Sequence, residues 1–337
     1  MKNLKSKKFI LLIITFLIGI SAVFNYFFFK ERKFEIEETK KIEKIFNFHE
    51  HIESLNEAKK LLKIMKENNI SKTVLLGSPN YTLYLAKNMG FEEYEKNNLE
   101  IIEIAKKYPD KFVAFPTLNP LDQNNLEKFK NYLNLGAKGL KLYYGHGGSH
   151  GQGPFHVISL DDSRMDPVFE FCQKEGLPIM FHINLPKYYK EFVPLMEKFP
   201  ELTIIVPHFM LSMWNEERLK RMENLFEKYP NFYTDISLGR PKFLTDGLKH
   251  ISENPELYRN FIIKHRDRFL FGTDMVVTEA KFQTGFPISE NIRVYRDFLE
   301  KKQYQEPFSG EYLNGLYLDE ETLKIIYEIN PLKLLTD

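Results

Sequence analysis

The sequence predicts an α/β fold, a (β/α)8 TIM barrel preceded by a single N-terminal transmembrane helix, on three observations. Eight short apolar runs alternate with longer segments of helical period. Continuous apolar runs of that length suit parallel strands buried on both faces and covered by helices. Four of the runs end in histidine or aspartate, and the C-terminal strand ends of a parallel barrel are where reactive groups gather. Ahead of them all, residues 9–29 carry no charge for 21 positions.

Composition narrows the classes. The 337 residues hold 47 Lys and Arg against 46 Asp and Glu, a net charge of +1. That balance argues against a generally basic nucleic-acid-binding surface, so no nucleic-acid partner is expected. With 43% hydrophobic and 28% charged residues, the chain can bury a large core and is not of the disordered class. The single cysteine, Cys172, excludes a disulfide framework and a cysteine zinc cage. Any metal must then be held by histidines and carboxylates.

Taken in order, residues 1–8 form a short basic N-terminus containing Lys2, Lys5, Lys7 and Lys8. Residues 9–29, at 1.5 Å per residue, span about 30 Å, the thickness of a hydrocarbon core. Bulky Phe24 and Tyr26 follow the one small-residue cluster, so an uncleaved signal anchor is expected over a cleaved signal peptide. The basic end should remain cytoplasmic and the catalytic domain lie outside, the alternative being secretion after cleavage. Residues 30–44 read as a charged tether, and residues 45–337 as one domain.

Within that domain the strand candidates are 45–48, 73–76, 112–115, 139–142, 179–181, 203–206, 232–234 and 269–271. Helical segments fall at 57–68, 97–107, 126–133, 167–174, 217–227 and 243–264, with closing helices at 288–302 and 320–335. Asn330-Pro331 is expected to break the last of these.

The first strand ends His49-Glu50-His51, a later one His182, another His208, and the last Gly272-Thr273-Asp274. Residues two apart on a strand project to one face, which places His49 and His51 together and turns Glu50 away. Imidazoles with a carboxylate suit Zn²⁺ or a similar divalent ion such as Mn²⁺ or Fe²⁺. Such an ion lowers the pKa of bound water toward about 7. A carboxylate beside that water can act as its base, and an imidazole can stabilise a developing oxyanion.

The His49-x-His51 pair, the strand ends LPIMFH and IIVPH, and the segment FLFGTDM resemble the metal-dependent hydrolases of the amidohydrolase superfamily, in its amidohydrolase-related (family 2) branch. The resemblance runs through 199–202 and 228–237 to 329–335, so it covers roughly residues 45–335. It implies that His49, His51 and His182 ligate one metal, with Asp274 as ligand, base or both. It leaves His208 to polarise the substrate oxygen or to bind a second metal. The branch includes hydrolases and decarboxylases, so the expected reaction is attack of activated water on a C–O or C–N acyl bond of a small molecule, a lactone or amide. The alternatives are decarboxylation of a small carboxylic acid and, further off, a non-catalytic extracytoplasmic binding module. Asn47 departs from the family's usual aspartate, which touches a ligand's support and removes no ligand.

Lys141 ends the fourth run. In binuclear relatives a carboxylated lysine there bridges two metals; a lysine that caps the barrel or meets an acidic substrate is favoured here, with one metal. The glycine-rich stretch after it carries His146 and His150, candidates for substrate contact, and Arg240 is a candidate carboxylate clamp. No G-x-S-x-G nucleophile elbow occurs, and Cys172 reads as a core residue.

Overall fold

The computed structural model describes residues 42, 44–84, 90–145, 155, 157–239, 241–279 and 288–335. The expected anchor at 9–29, most of the tether, and the candidates His146, His150 and Arg240 lie outside them. Among the described residues no helix is long and apolar enough to cross a membrane.

Eight parallel strands follow one another in chain order: β1 (Phe46–Ile52), β2 (Lys72–Leu76), β3 (Phe112–Phe115), β4 (Leu140–Tyr144), β5 (Ile179–Ile183), β6 (Ile204–Val206), β7 (Phe232–Asp235) and β8 (Phe269–Leu270). Strands β1 to β3 form one sheet, which a ninth short strand, β9 (Met275–Val277), joins beside β1; β4 to β8 form the other. Backbone contacts tie the sheets at both edges. Thr117 bridges to Lys141 on one side, and on the other the Phe48 amide donates to the Phe271 carbonyl at 2.7 Å.

Two clusters divide the apolar side chains. The larger packs the outward residues of the strands, such as Leu75, Ala114, Leu140 and Phe181, against the helices. The smaller lies among the strands and takes Phe48, Val74, Phe115, Met180, Ile205, Tyr233 and Leu270. Strand alternation sorts each run between the two. In β4, Leu140, Leu142 and Tyr144 face the helices, so Lys141, register partner of Met180, falls on the inner side. Each of the other seven strands of β1 to β8 gives that inner layer an apolar residue; β4 gives it an ammonium.

Three expectations are corrected. The segment 243–264 is two helices, Pro241–Glu253 and Pro255–Lys264, because Pro255 cannot donate a backbone hydrogen bond and starts a helix anew. The last segment is not broken at Asn330-Pro331. A π-helical turn, Ile325–Ile329, runs without a break into Asn330–Leu335, and Pro331 is carried inside that continuous run. A further helix, Leu185–Lys198, and an antiparallel hairpin of β10 (Gln303–Gln305) and β11 (Tyr312–Asn314) were not anticipated.

Candidate metal centre

The C-terminal ends of β1, β5, β6, β7 and β8 deliver a polar cluster above the inner apolar layer. Phe48 packs in that layer while the next residue, His49, joins the polar cluster, although neighbours on a regular strand face opposite ways. An irregularity between Asn47 and Glu50 in the pairing with β2 accommodates both. Gly272 after β8 completes the arrangement. A Cβ there would lie 2.8 Å from Asp235 Oδ2 and 2.9 Å from the His49 Cβ, so only glycine lets these two groups meet.

His49 Nε2 and His51 Nε2 lie 3.0 and 3.1 Å from the same atom, Asp274 Oδ1. These residues form one group whose ligand atoms converge closely enough to hold a metal; His49, His208 and Asp235 form a second. Asp274 is held there by its backbone. Its amide donates to the His49 carbonyl at 2.8 Å, and its φ of +53° is a left-handed conformation that costs a non-glycine residue about 1 kcal/mol or more.

The hydrogen-bond partners assign the tautomers. Ser78 Oγ donates to the Leu76 carbonyl at 2.8 Å, so it accepts from His51 Nδ1–H at 2.7 Å. Asp235 Oδ2 accepts from His49 Nδ1–H at 2.6 Å. Ser237 Oγ donates to Asp235 Oδ1 at 2.6 Å and therefore accepts from His208 Nδ1–H at 2.9 Å. His51 and His208 thus present bare Nε2 lone pairs, and His49 would do the same once its Nε2 proton is displaced by a cation. Lone pairs facing a carboxylate oxygen at about 3 Å repel unless a cation lies between them, and His49 Nε2 finds no hydrogen-bond partner among the described residues. The donor set and its outer support fit a divalent ion.

The electrostatics agree. Burial alone would lower the His49 pKa, yet Asp274 and Asp235 beside it hold it up at about 9. A proton thus stands in for a metal cation. Burial lowers His51 to about 4 and also lowers His208, keeping both neutral. Asp274, despite burial, is held well below the ordinary carboxylate range by His49 and His208. Asp235 is lowered in the same sense by His49.

His182 lies beside this group. Its Nδ1 is 3.1 Å from His208 Nε2, and His208 Nε2 is 3.8 Å from Asp274 Oδ2. His208 opens a run of four left-handed residues, His208 to Leu211, and its amide donates to Asp235 Oδ1 at 2.9 Å. Glu50, expected to turn away, enters a second buried polar knot. Its Oε2 accepts from Asn47 Nδ2 at 2.7 Å and Thr273 Oγ at 2.6 Å, and burial pushes its pKa up to about 8. Asn47 Oδ1 accepts from the His49 amide at 3.2 Å, so the substituted position still supports the ligand strand. Asp235 and Ser237 had no role in the sequence reading. The signal was present in Thr234-Asp235-Ile236-Ser237, where alternation puts both polar side chains on one face at a strand end.

Residues 82–336 match the family model described as Amidohydrolase, a match that begins after β2. No curated protein matches the chain. Among solved structures the chain is similar to a probable 2-pyrone-4,6-dicarboxylic acid hydrolase from Acinetobacter baumannii, at 12% identity and TM-score 0.59, covering 87% of this chain and 99% of that one. It is similar to 2,6-dihydroxybenzoate decarboxylase from Rhizobium, at 16% identity and TM-score 0.55, with 87% and 99% covered. A third is 4-oxalomesaconate hydratase from Rhodopseudomonas palustris, at 16% identity and TM-score 0.54, with 86% and 95% covered. At these identities the likeness is one of fold.

Proposed function

The chain belongs to the Amidohydrolase family, and from that premise we propose that it is a metal-dependent hydrolase of (β/α)8 TIM-barrel fold acting on a small molecule with a carboxylate group. The observation that carries the reading is the convergence of His49 Nε2 and His51 Nε2 on Asp274 Oδ1, with each Nδ1 occupied by a fixed acceptor. His49, His51 and Asp274 would hold one divalent ion, Zn²⁺ by the donor set, with His182 as the further ligand. Bound there, the ion supplies Lewis acidity and brings the pKa of the water it holds toward about 7.

The chain's own residues do the rest. Asp274, ionised and touching both imidazoles, takes the proton of the attacking water and returns it to the leaving group. His208 presents a bare Nε2 and serves as a proton acceptor; it stabilises an oxyanion only after gaining a proton. Asp235 and Ser78 fix the two ligand rings.

The carboxylate in the substrate rests on the acids named among the similar structures. The runner-up reaction, decarboxylation, rests on the decarboxylase among them. The test is a panel of carboxylated lactones, amides and aromatic acids incubated with purified, metal-loaded protein, scoring water-dependent opening against carbon dioxide release. Metal-dependent opening of a lactone or amide is expected, and release of carbon dioxide alone moves the assignment to the decarboxylase.

We also propose that residues 9–29 anchor the chain, with the catalytic domain outside the cytoplasm. The expected result is retention of full-length protein in the membrane fraction through high-salt and carbonate washing. A soluble form beginning near residue 25 to 35 would mean a cleaved signal peptide.

A further inference from the structure

Lys141 is fully buried, and its Nζ has no hydrogen-bond acceptor among the described residues. It stands one pleat beneath Tyr143, on the inner side of β4 beside Met180, while His182 follows Met180 by two residues on the neighbouring strand. Tyr143 and His182 are themselves register partners with stacked rings, centroids 6.4 Å apart. The ammonium therefore lies at the floor of the histidine cluster, level with the inner apolar layer. The Tyr143 ring lies against it, its centroid 4.7 Å from Nζ, while Asp274 and Asp235 act on the charge through space without a hydrogen bond to it. The Tyr143 hydroxyl is committed to the Gly77 carbonyl at 2.8 Å, which fixes that ring.

A buried cation without a hydrogen-bonded counter-ion costs several kcal/mol, so it persists where something else compensates it. The charges of the centre indicate what. With a divalent ion in place, Asp235 and Asp274 balance it and the Lys141 charge is left over. A loaded centre is thus one positive charge in excess, and the excess sits at its floor.

We propose that Lys141 is the receptor for an anionic oxygen of the substrate, a carboxylate held at the floor while its reactive bond lies against Asp274 and His208. The assignment rests on the reading of this cluster as a metal-dependent enzyme site and adds the group that selects acids over their esters. A point-charge ammonium suits one carboxylate oxygen, and the surrounding apolar layer strengthens the pairing by excluding water.

The probe is benzene-1,3-dicarboxylate, titrated calorimetrically into the full-length protein loaded with Zn²⁺, with its dimethyl ester as the neutral control. The wild-type protein is expected to bind the diacid at least 10-fold more tightly than the diester. Lys141→Met, which matches the apolar neighbour Met180, should remove that preference while keeping one metal per chain and an unchanged circular dichroism spectrum. Lys141→Gln is the second variant should the first not fold, with the same loss expected. Equal affinity of wild type and either folded variant for the diacid overturns the proposal, as does a wild type that binds neither probe. So does an intact mass showing carboxylated Lys141 with two metals that fall to one in the variants, since the lysine would then be a metal bridge. Loss of the preference in the variants, in a protein that turns over nothing on the substrate panel, would keep the anion receptor and remove the hydrolase reading.

Discussion

His49 Nδ1 lies 2.6 Å from Asp235 Oδ2, with both side chains wholly buried. One carboxylate oxygen fixes the His49 tautomer; the other accepts from Ser237 and from the His208 amide. Asp235 therefore couples two imidazoles on different strands without itself belonging to the group around Asp274. Removing its charge should free the His49 ring and lower its basicity. Asp235→Asn is expected to weaken metal affinity by about 10–100-fold, read by competition with a chromophoric chelator. Gly272→Ala should do the same by steric means, since its Cβ would fall on Asp235 Oδ2. Unchanged affinity in both variants would show that Asp235 does not support the ligand.

His49→Ala, His51→Ala and His182→Ala should each lose stoichiometric metal and activity while circular dichroism reports an intact fold. A core of this size does not depend on one ion, unlike a zinc finger. The His182 variant is the more informative, because that ring reaches the group through His208, at 3.1 Å. Full metal content in it would remove His182 from the ligand set and leave His49, His51 and Asp274.

Period-two alternation and apolar strand runs were enough to place the eight strands within a few residues, and the chemistry at their ends followed from position. What stayed hidden depended on contacts between distant segments. Asp235 reads as an ordinary strand-end acid until Gly272 brings it against His49, 186 positions away along the chain. Glu50 reads as an outward residue until the irregularity in β1 tucks it between Asn47 and Thr273. The π-helical turn before Asn330 is a tertiary answer to a proline that local rules read as a break.

The pH dependence of the metal-free protein follows from His49 and Glu50. Both have folded pKa values above their ordinary ones, about 9 against 6.5 and about 8 against 4.5. Their contribution to stability is thus fully present below the unfolded values and is lost as pH rises through the folded ones. Asp235 and Asp274, held low, contribute above their unfolded value and lose that only as pH falls through the acid range. His51 and His208, lowered by burial, work in the opposite sense, but their gain is nearly complete once pH has risen past the unfolded value of 6.5. Lys141, lowered to about 8 by burial, favours the folded state only as pH climbs above that value. The Tm of the EDTA-treated protein should therefore fall between about pH 6.5 and 8, and Glu50→Gln should make the fall shallower. A Tm that rises across that window would contradict the assignment.

Asp274 and His208 carry the chemistry in the proposed mechanism, and their variants should separate it from metal retention. Asp274 is ionised, sits within 3.1 Å of two imidazole nitrogens, and keeps its second oxygen toward His208. Asp274→Asn preserves the size and one acceptor oxygen but removes the base, so kcat should fall on the order of 10³-fold with a modest change in KM. His208→Asn keeps a group able to bond Ser237 but deletes the bare Nε2, and kcat should drop by roughly 10²-fold. Under a single-ion centre the His208 variant retains about one metal per chain. His49 also groups with His208 and Asp235 closely enough to hold an ion, which gives this count its force. A fall from two ions to one on replacing His208 would place a second metal there, and Asp274 could no longer be assigned as the base of a mononuclear site.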